Sequence, residues 1–194
     1  EYISRVDNQL KVSGYRVETG EIENSIKGIE GVTMVHVTHT KDASNQTIII
    51  AYYTGSIEAS DLKTKLQQKM QDYMIPAFMK KLDAIPINLN GKVDEASLPK
   101  NFSDLIEKGS LDIAQDTLAY ELSELWADAM GIEISLIYLD SDFFSLGGNS
   151  LKAIKLNHLI VNKYNFKMQL NTLFSHSQFK DFFQAFEQIG RAHV

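Results

Sequence analysis

The period of the hydrophobic pattern changes near residue 100, and this change divides the chain into two folding units of different class. Before it, β-branched and aromatic runs at 32–40 and 46–55 alternate with helical patterns, which is typical of an α+β domain. After it, apolar residues recur at helical spacing, most clearly at 177–188. We predict a small α+β domain at 1–100, a linker at 101–115, an all-α bundle of four helices, one of them short, at 116–189, and a tail at 190–194.

Composition and charge exclude several classes of function. The chain has no cysteine, which removes disulfides, cysteine-zinc sites and a thiol nucleophile, and fits a cytoplasmic protein. The net charge is −6, and ten carboxylates between Asp104 and Asp142 face only Lys108, so nucleic acid is a poor partner. No apolar run is long enough to span a membrane, no export signal opens the chain, and the histidines lack metal-ligand spacing.

The segment DFFSLGGNSLKAIKL, residues 142–156, places Ser150 between a glycine pair and a helical pattern. A hydrolytic nucleophile would need a base within reach, but His158 lies eight helical residues away, about 12 Å along the axis. The segment also lacks the G-x-S-x-G pattern. Ser150 as a simple helix N-cap would leave the glycine pair and its apolar flanks unexplained. A hydroxyl displayed for modification by another enzyme fits the segment better.

This segment resembles the attachment motif of thiolation (peptidyl carrier) domains, and the resemblance extends over about 116–188. It implies that Ser150 carries 4′-phosphopantetheine, transferred from coenzyme A by a phosphopantetheinyl transferase. Asn149 stands where the family usually has histidine or aspartate. The candidate docking residues for partner domains are Lys152, Ile154 and Lys155, with a place in the core as the alternative for Ile154.

The first half contains SRVDNQLKVSGYRVETGEIE (4–23) and PINLNGKVDEASLP (86–99), which resemble two motifs of the C-terminal subdomain of adenylate-forming enzymes. The resemblance implies that Lys92 is the catalytic lysine bridging a carboxylate substrate and the ATP phosphate, where an ammonium stabilises developing negative charge. It also implies that Asp7 is the hinge and that Lys11 meets the active site in the thioester-forming orientation. Glu95 stands where the family commonly has a basic residue.

Together, the two resemblances imply part of a nonribosomal peptide synthetase module, of the kind that makes peptide antibiotics. We expect the module to activate an amino acid or related carboxylic acid with MgATP and to hold it on the carrier. The printed sequence does not contain the large adenylation core, so we expect no activity from this chain alone. Expected partners are that core, the transferase, and condensation or thioesterase domains. The alternatives are the lid and carrier of an acyl ligase or carboxylic acid reductase, and an interaction module whose Ser150 is never modified.

Overall fold

The chain divides into two compact units, Glu1–Lys100 and Asn101–Val194, in a computed structural model. The structure describes residues 9–12, 14–42, 45–106, 108–109, 111–115, 117–166 and 168–192. The first unit mixes strands and helices, whereas the second is helical. The predicted fold class, a small α+β unit followed by a four-helix bundle, is therefore confirmed.

The described part of the first unit contains five strands and two helices. They are β1 (Gln9–Val12), β2 (Tyr15–Glu18), α1 (Thr19–Lys27), β3 (Val32–Lys41), β4 (Thr47–Gly55), α2 (Ala59–Gln67) and β5 (Phe78–Lys81). β1 and β2 form an antiparallel hairpin. β4 is the central strand of a second sheet, antiparallel to β3 and parallel to β5.

The core of the first unit lies between its two helices and the central strand β4. Both helices bury residues four apart, which share one helical face; these are Ile22 and Ile26 on α1, and Leu62 and Leu66 on α2. They belong to one apolar cluster with alternate residues of β4, namely Ile49, Ala51 and Tyr53. Packing against the helices therefore fixes which face of β4 meets them, while the opposite face, with Ile50 and Tyr52, is also buried.

The described part of the second unit contains five helices, of which the last four make up the predicted bundle and the first, a single turn, lies in the predicted linker. They are α3 (Phe102–Leu105), α4 (Leu118–Met130), α5 (Ser150–Tyr164), α6 (Leu170–Ser175) and α7 (Phe179–Ala192). The hydroxyl of Thr117 caps α4 by accepting the Tyr120 amide at 3.2 Å, and Gly131 ends the helix with φ of +70°. No described helix has both the length and the apolar character needed to cross a membrane.

An aromatic cluster around Trp126 joins α4, α7 and the loop before α5. The Trp126 ring is fully buried and lies edge-on to Phe143 at 5.3 Å and to Phe179 at 5.0 Å. Such pairs add about 0.5–1.5 kcal/mol each beyond the burial of their area. Phe143 belongs to the loop, so the cluster holds the loop that leads to Ser150 against the helices.

Part of the segment predicted as a linker packs within the helical unit. The amide of Leu139 donates to the carbonyl of Leu111 at 2.8 Å. A Cβ added to Gly109 would lie 2.3 Å from the Cβ of Tyr138, so only glycine fits this contact. Residues 109–111 therefore pack against 138–140. The role of 101–115 as a linker stays a prediction.

Candidate functional site

A tight turn of the backbone brings the chain into α5 directly before Ser150. The amide of Gly148 donates to the carbonyl of Phe143 at 2.9 Å, and Gly147 has φ of +84°, in the left-handed region. A Cβ on Gly148 would lie 2.3 Å from the Phe143 ring. The two glycines are thus needed for different reasons, one for its backbone conformation and the other for its contact with a buried ring.

The N-cap of α5 is Asn149 and not Ser150. The Asn149 backbone is extended, and its Oδ1 accepts the amide of Lys152 at 2.9 Å. Ser150 is the first helical residue and is exposed. The interpretation of Ser150 as the N-cap is therefore wrong, because the side chain of Asn149 caps the helix.

The surroundings of Ser150 contain no catalytic partner within the described ranges. No described group hydrogen-bonds to its hydroxyl. His158, the nearest histidine in sequence, instead has its Nε2 3.1 Å from Nδ2 of Asn162. The described residues also include no cluster of side chains suited to a metal ion. The site can present a hydroxyl to another enzyme, but no described side chain there is placed to activate it as a base.

The exposed face of α5 beside Ser150 is apolar. Leu151 is 56% exposed and Ile154 is 54% exposed, and the two side chains are three residues apart on one helical face. The alternative of a core position for Ile154 is therefore wrong. An exposed phenylalanine on α6, Phe174, stacks on Phe144 of the loop before α5, with ring centroids 5.7 Å apart.

The two lysines predicted as docking residues differ in their surroundings. Lys152 is buried, and its Nζ donates to the carbonyl of Met130 at 2.9 Å. Its ammonium is therefore directed into the unit, and the prediction of an exposed docking charge there is wrong. Lys155 is exposed and forms an ion pair with Asp128 at 2.9 Å.

Lys92 lies at the end of a narrow turn in the first unit. Asn88 holds this turn in two ways. Its side-chain Oδ1 accepts the backbone amides of Asn90 at 3.0 Å and Lys92 at 3.1 Å, and its backbone amide donates to the Lys92 carbonyl at 2.7 Å. Gly91 has φ of +75°. The Lys92 side chain is exposed, and no described acceptor binds its ammonium. The turn thus projects a cation from the body of the unit.

A charged cluster beside this turn was not anticipated from the sequence. His36 of β3 lies between two carboxylates, with Nδ1 3.3 Å from Glu23 of α1 and Nε2 3.1 Å from Glu95. The hydrogen bond to Glu23 raises the pKa of His36 and outweighs burial, which lowers it. The hydrogen bond to Glu95 also raises this pKa. Burial raises the pKa of Glu23, but hydrogen bonds from His36 and the Val37 amide outweigh it and lower this pKa overall. The one signal in the sequence was the acid at 95, which departs from the pattern that the segment 86–99 resembles.

Two other predicted residues belong to the start of the chain. Lys11 lies on β1, exposed between the buried Leu10 and Val12, as the alternation of a strand requires. The predicted hinge Asp7 lies outside the described residues.

Comparison with known proteins gives matches to both units. Residues 121–186 match the family model described as a phosphopantetheine attachment site. The chain is 38% identical over 191 residues to surfactin synthase subunit 1 of Bacillus subtilis (strain 168), covering 97% of this chain and 5% of that protein. It is 34% identical over 182 residues to tyrocidine synthase 3 of Brevibacillus parabrevis, covering 93% and 3%. The chain thus spans a small fraction of the length of the relatives that it matches.

A likeness to a solved structure supports the fold. A holo NRPS protein containing adenylation and PCP domains superposes with a TM-score of 0.60 at 22% identity, covering 94% of this chain and 28% of that chain. The phosphopantetheine domain covers α4 to α7, and the synthetase relatives extend across both units. The chain therefore belongs to the nonribosomal peptide synthetases, as an adenylation-type α+β unit followed by a phosphopantetheine carrier domain.

Proposed function

We propose that Ser150 is the residue that accepts 4′-phosphopantetheine. The observation that carries this proposal is the exposed Ser150 hydroxyl at the start of α5, displayed by a turn that only its two glycines allow. A phosphodiester on this oxygen would lie at the N-terminal end of a 15-residue helix, where the helix dipole favours an anion. The group, when attached, supplies a thiol that holds an acyl chain as a thioester.

The transfer needs an external enzyme because no described residue is placed beside Ser150 as a base. The Ser150 oxygen would form a bond to the phosphorus that carries the pantetheine arm of coenzyme A. The bond from that phosphorus to the bridging oxygen of 3′,5′-ADP breaks, 3′,5′-ADP leaves, and a base of the transferase takes the hydroxyl proton. A broad-specificity phosphopantetheinyl transferase is therefore the first partner that we propose.

The test is the intact mass of the chain after incubation with coenzyme A, Mg²⁺ and such a transferase. We expect one added phosphopantetheine on the parent chain and on Ser145→Ala, and none on Ser150→Ala. Ser145 is the matched control because it is exposed in the same loop. An unchanged mass on the parent, with a known carrier modified in the same tube, would leave Ser150 without this role.

The apolar face formed by Leu151 and Ile154 is the surface that we propose for docking of the transferase. It adjoins Ser150 on the same helix, so an enzyme that reaches the serine must cover it. Ile154→Asp should slow modification of Ser150 without changing the unfolding transition of the unit, because the side chain is exposed. Leu118→Asp, another exposed leucine of this unit, is the control. Equal rates for parent and Ile154→Asp would rule the surface out.

We also propose that Lys92 stabilises negative charge during ATP-dependent adenylation of an amino acid or related carboxylic acid. The support is the exposed ammonium on a turn held by Asn88, together with the relatives, which are synthases of surfactin and tyrocidine. Lys11 and Asp7 would serve the thioester-forming orientation and the hinge. Condensation or thioesterase domains would receive the carrier's cargo.

The test of Lys92 uses a protein in which the adenylation core of a relative precedes this chain. Lys92→Ala should lower amino-acid-dependent exchange of pyrophosphate into ATP by roughly 100-fold to 1,000-fold, the usual effect of losing one charge-stabilising group. Lys69→Ala, an exposed lysine elsewhere in the unit, should have no effect. Full activity of Lys92→Ala would remove the catalytic role.

A further inference from the structure

We propose that His36 is a positioning residue, which anchors the Lys92 loop (residues 86–97) to the first unit through Glu95. This proposal rests on the function proposed for Lys92. Glu95 follows Lys92 by three residues, and its Oε1 lies 3.1 Å from Nε2 of His36 on β3. The contact joins positions 59 residues apart in the chain.

The contact between Glu95 and His36 differs from the other polar contacts described for this loop, which join residues of the loop to one another. The backbone hydrogen bonds of residues 86–97 stay inside the loop: the Asp94 amide donates to Pro86, the Asn88 amide to Lys92 and the Ser97 amide to Asp94. The side chains of Asn88, Asp94 and Ser97 likewise bond only within it. Among the described residues, His36 with Glu95 is the one hydrogen bond or ion pair that ties the loop to the strands and helices.

The geometry of His36 requires a doubly protonated ring for both contacts to persist. A carboxylate accepts hydrogen bonds and donates none, and each ring nitrogen of His36 faces a carboxylate. A neutral imidazole donates from one nitrogen only, so deprotonation must break one contact. Glu23 has a second attachment, because the same oxygen accepts the Val37 amide at 2.7 Å. No described group supports Glu95 in this way, so its contact with His36 is the weaker one.

The groups that face His36 from the neighbouring elements are Glu23 of α1, Glu95 of the loop and Tyr52 of β4, its cross-strand partner. Burial, followed by the charge of Glu95, raises the pKa of Tyr52 to about 12, so the phenol stays neutral. Its hydroxyl donates to the carbonyl of Pro99, just beyond the loop. The chain just after the loop is therefore held by a neutral contact, and the loop itself is held beside Lys92 by a protonated one.

The anchor depends on the acid at position 95. A lysine or arginine there has no acceptor for the His36 proton, and both would be cations. Because Lys92 and Glu95 lie in one short loop, loss of the anchor would widen the range of positions of the Lys92 ammonium. The role of His36 is therefore to place Lys92 and not to react.

Amide hydrogen exchange of residues 86–97 in the 194-residue chain tests the anchor. Below the pKa of His36, Glu95→Gln and His36→Gln should each speed exchange of this peptide by about fivefold, the factor expected for a partly exposed charged pair. The double variant should add little more, because both single changes break the same contact. His39→Gln, on the same strand and exposed, is the matched control. Exchange that is unchanged by both single variants would overturn the anchor.

Titration of the His36 ring by NMR supplies a second readout, since Glu95 is 52% exposed and we expect its replacement to leave the fold intact. Glu95→Gln should lower the pKa of His36 toward its ordinary value of 6.5, and an identical titration would overturn the contact. Measurements on this chain fused to the adenylation core of a relative distinguish the anchor from the proposed role of Lys92. If Lys92→Ala is inactive but Glu95→Gln does not change hydrogen exchange of the loop, the anchor alone is overturned. An active Lys92→Ala variant overturns the role of Lys92, and with it the positioning role of His36.

Discussion

The ammonium of Lys152 donates a hydrogen bond to the backbone carbonyl of Met130 at 2.9 Å, in the interior of the helical unit. Met130 is the last residue of α4, where carbonyls lack partners within the helix and a cation is favoured by the dipole. Lys155, further along α5, donates to the carbonyl of Asp128 at 2.5 Å but from an exposed position. Two lysines that follow Ser150 thus stabilise the end of the preceding helix.

Replacement of these lysines should separate the buried contact from the exposed one. Lys152→Met should lower the free energy of unfolding of the helical unit by about 1–3 kcal/mol, since it leaves a buried carbonyl without its donor. Lys155→Met should cost less than about 1 kcal/mol. Urea unfolding followed by the fluorescence of Trp126, the one tryptophan of the chain, measures both. Equal losses for the two variants would contradict this assignment.

Gly148→Ala tests the contact that shapes the turn before Ser150. The new Cβ would overlap the buried Phe143 ring, so we expect a loss of about 1–3 kcal/mol in the same unfolding experiment and slower modification of Ser150. Ser145→Ala is the control, because Ser145 is exposed in the same loop. A Gly148→Ala chain with parental stability and modification rate would show that the turn adapts.

Substitutions of Asn149 test the N-cap of α5. Asn149→Ala removes the acceptor of the Lys152 amide and should cost about 1 kcal/mol. Asn149→Asp keeps that acceptor and adds a charge that the helix N-terminus favours, so its stability should equal or exceed that of the parent. The measurement is again unfolding followed by Trp126. If both variants lose stability to the same degree, the cap contributes little.

The stability of the first unit should depend on pH through His36 and Glu23. The pKa of His36 is raised above 6.5, so its contribution is full below pH 6.5 and is lost as the pH rises through the folded-state pKa. The pKa of Glu23 is lowered below 4.5, so its contribution is full above pH 4.5 and is lost as the pH falls through the folded-state value.

Both contributions are therefore complete between about pH 4.5 and 6.5, where this pair should stabilise the unit most. The measurement is urea unfolding at a series of pH values, followed by NMR signals of β3 and β4. His36→Gln should flatten the loss above pH 6.5, whereas His39→Gln should leave it in place. If His36→Gln loses as much stability above pH 6.5 as the parent does, another group causes the pH dependence.

Much of the candidate site was predictable because its parts are local in the chain. The turn that displays Ser150 is formed by residues 143–149, and the turn that presents Lys92 by residues 88–92. A glycine pair, an Asn-Gly step and a helical pattern each encode their geometry within a few residues. For the same reason the two fold classes followed from hydrophobic period alone. The cap of α5 was missed because Asn149 and Ser150 are both good caps and only backbone geometry separates them.

Local sequence patterns thus suffice to predict the class of each unit and the two turns. Packing between distant residues is what buries the Lys152 ammonium against α4 and places His36 between Glu23 and Glu95. These partners are 13 to 59 residues apart. The burial and protonation of a side chain depend on groups that packing brings near it, and such groups leave no local pattern in the sequence.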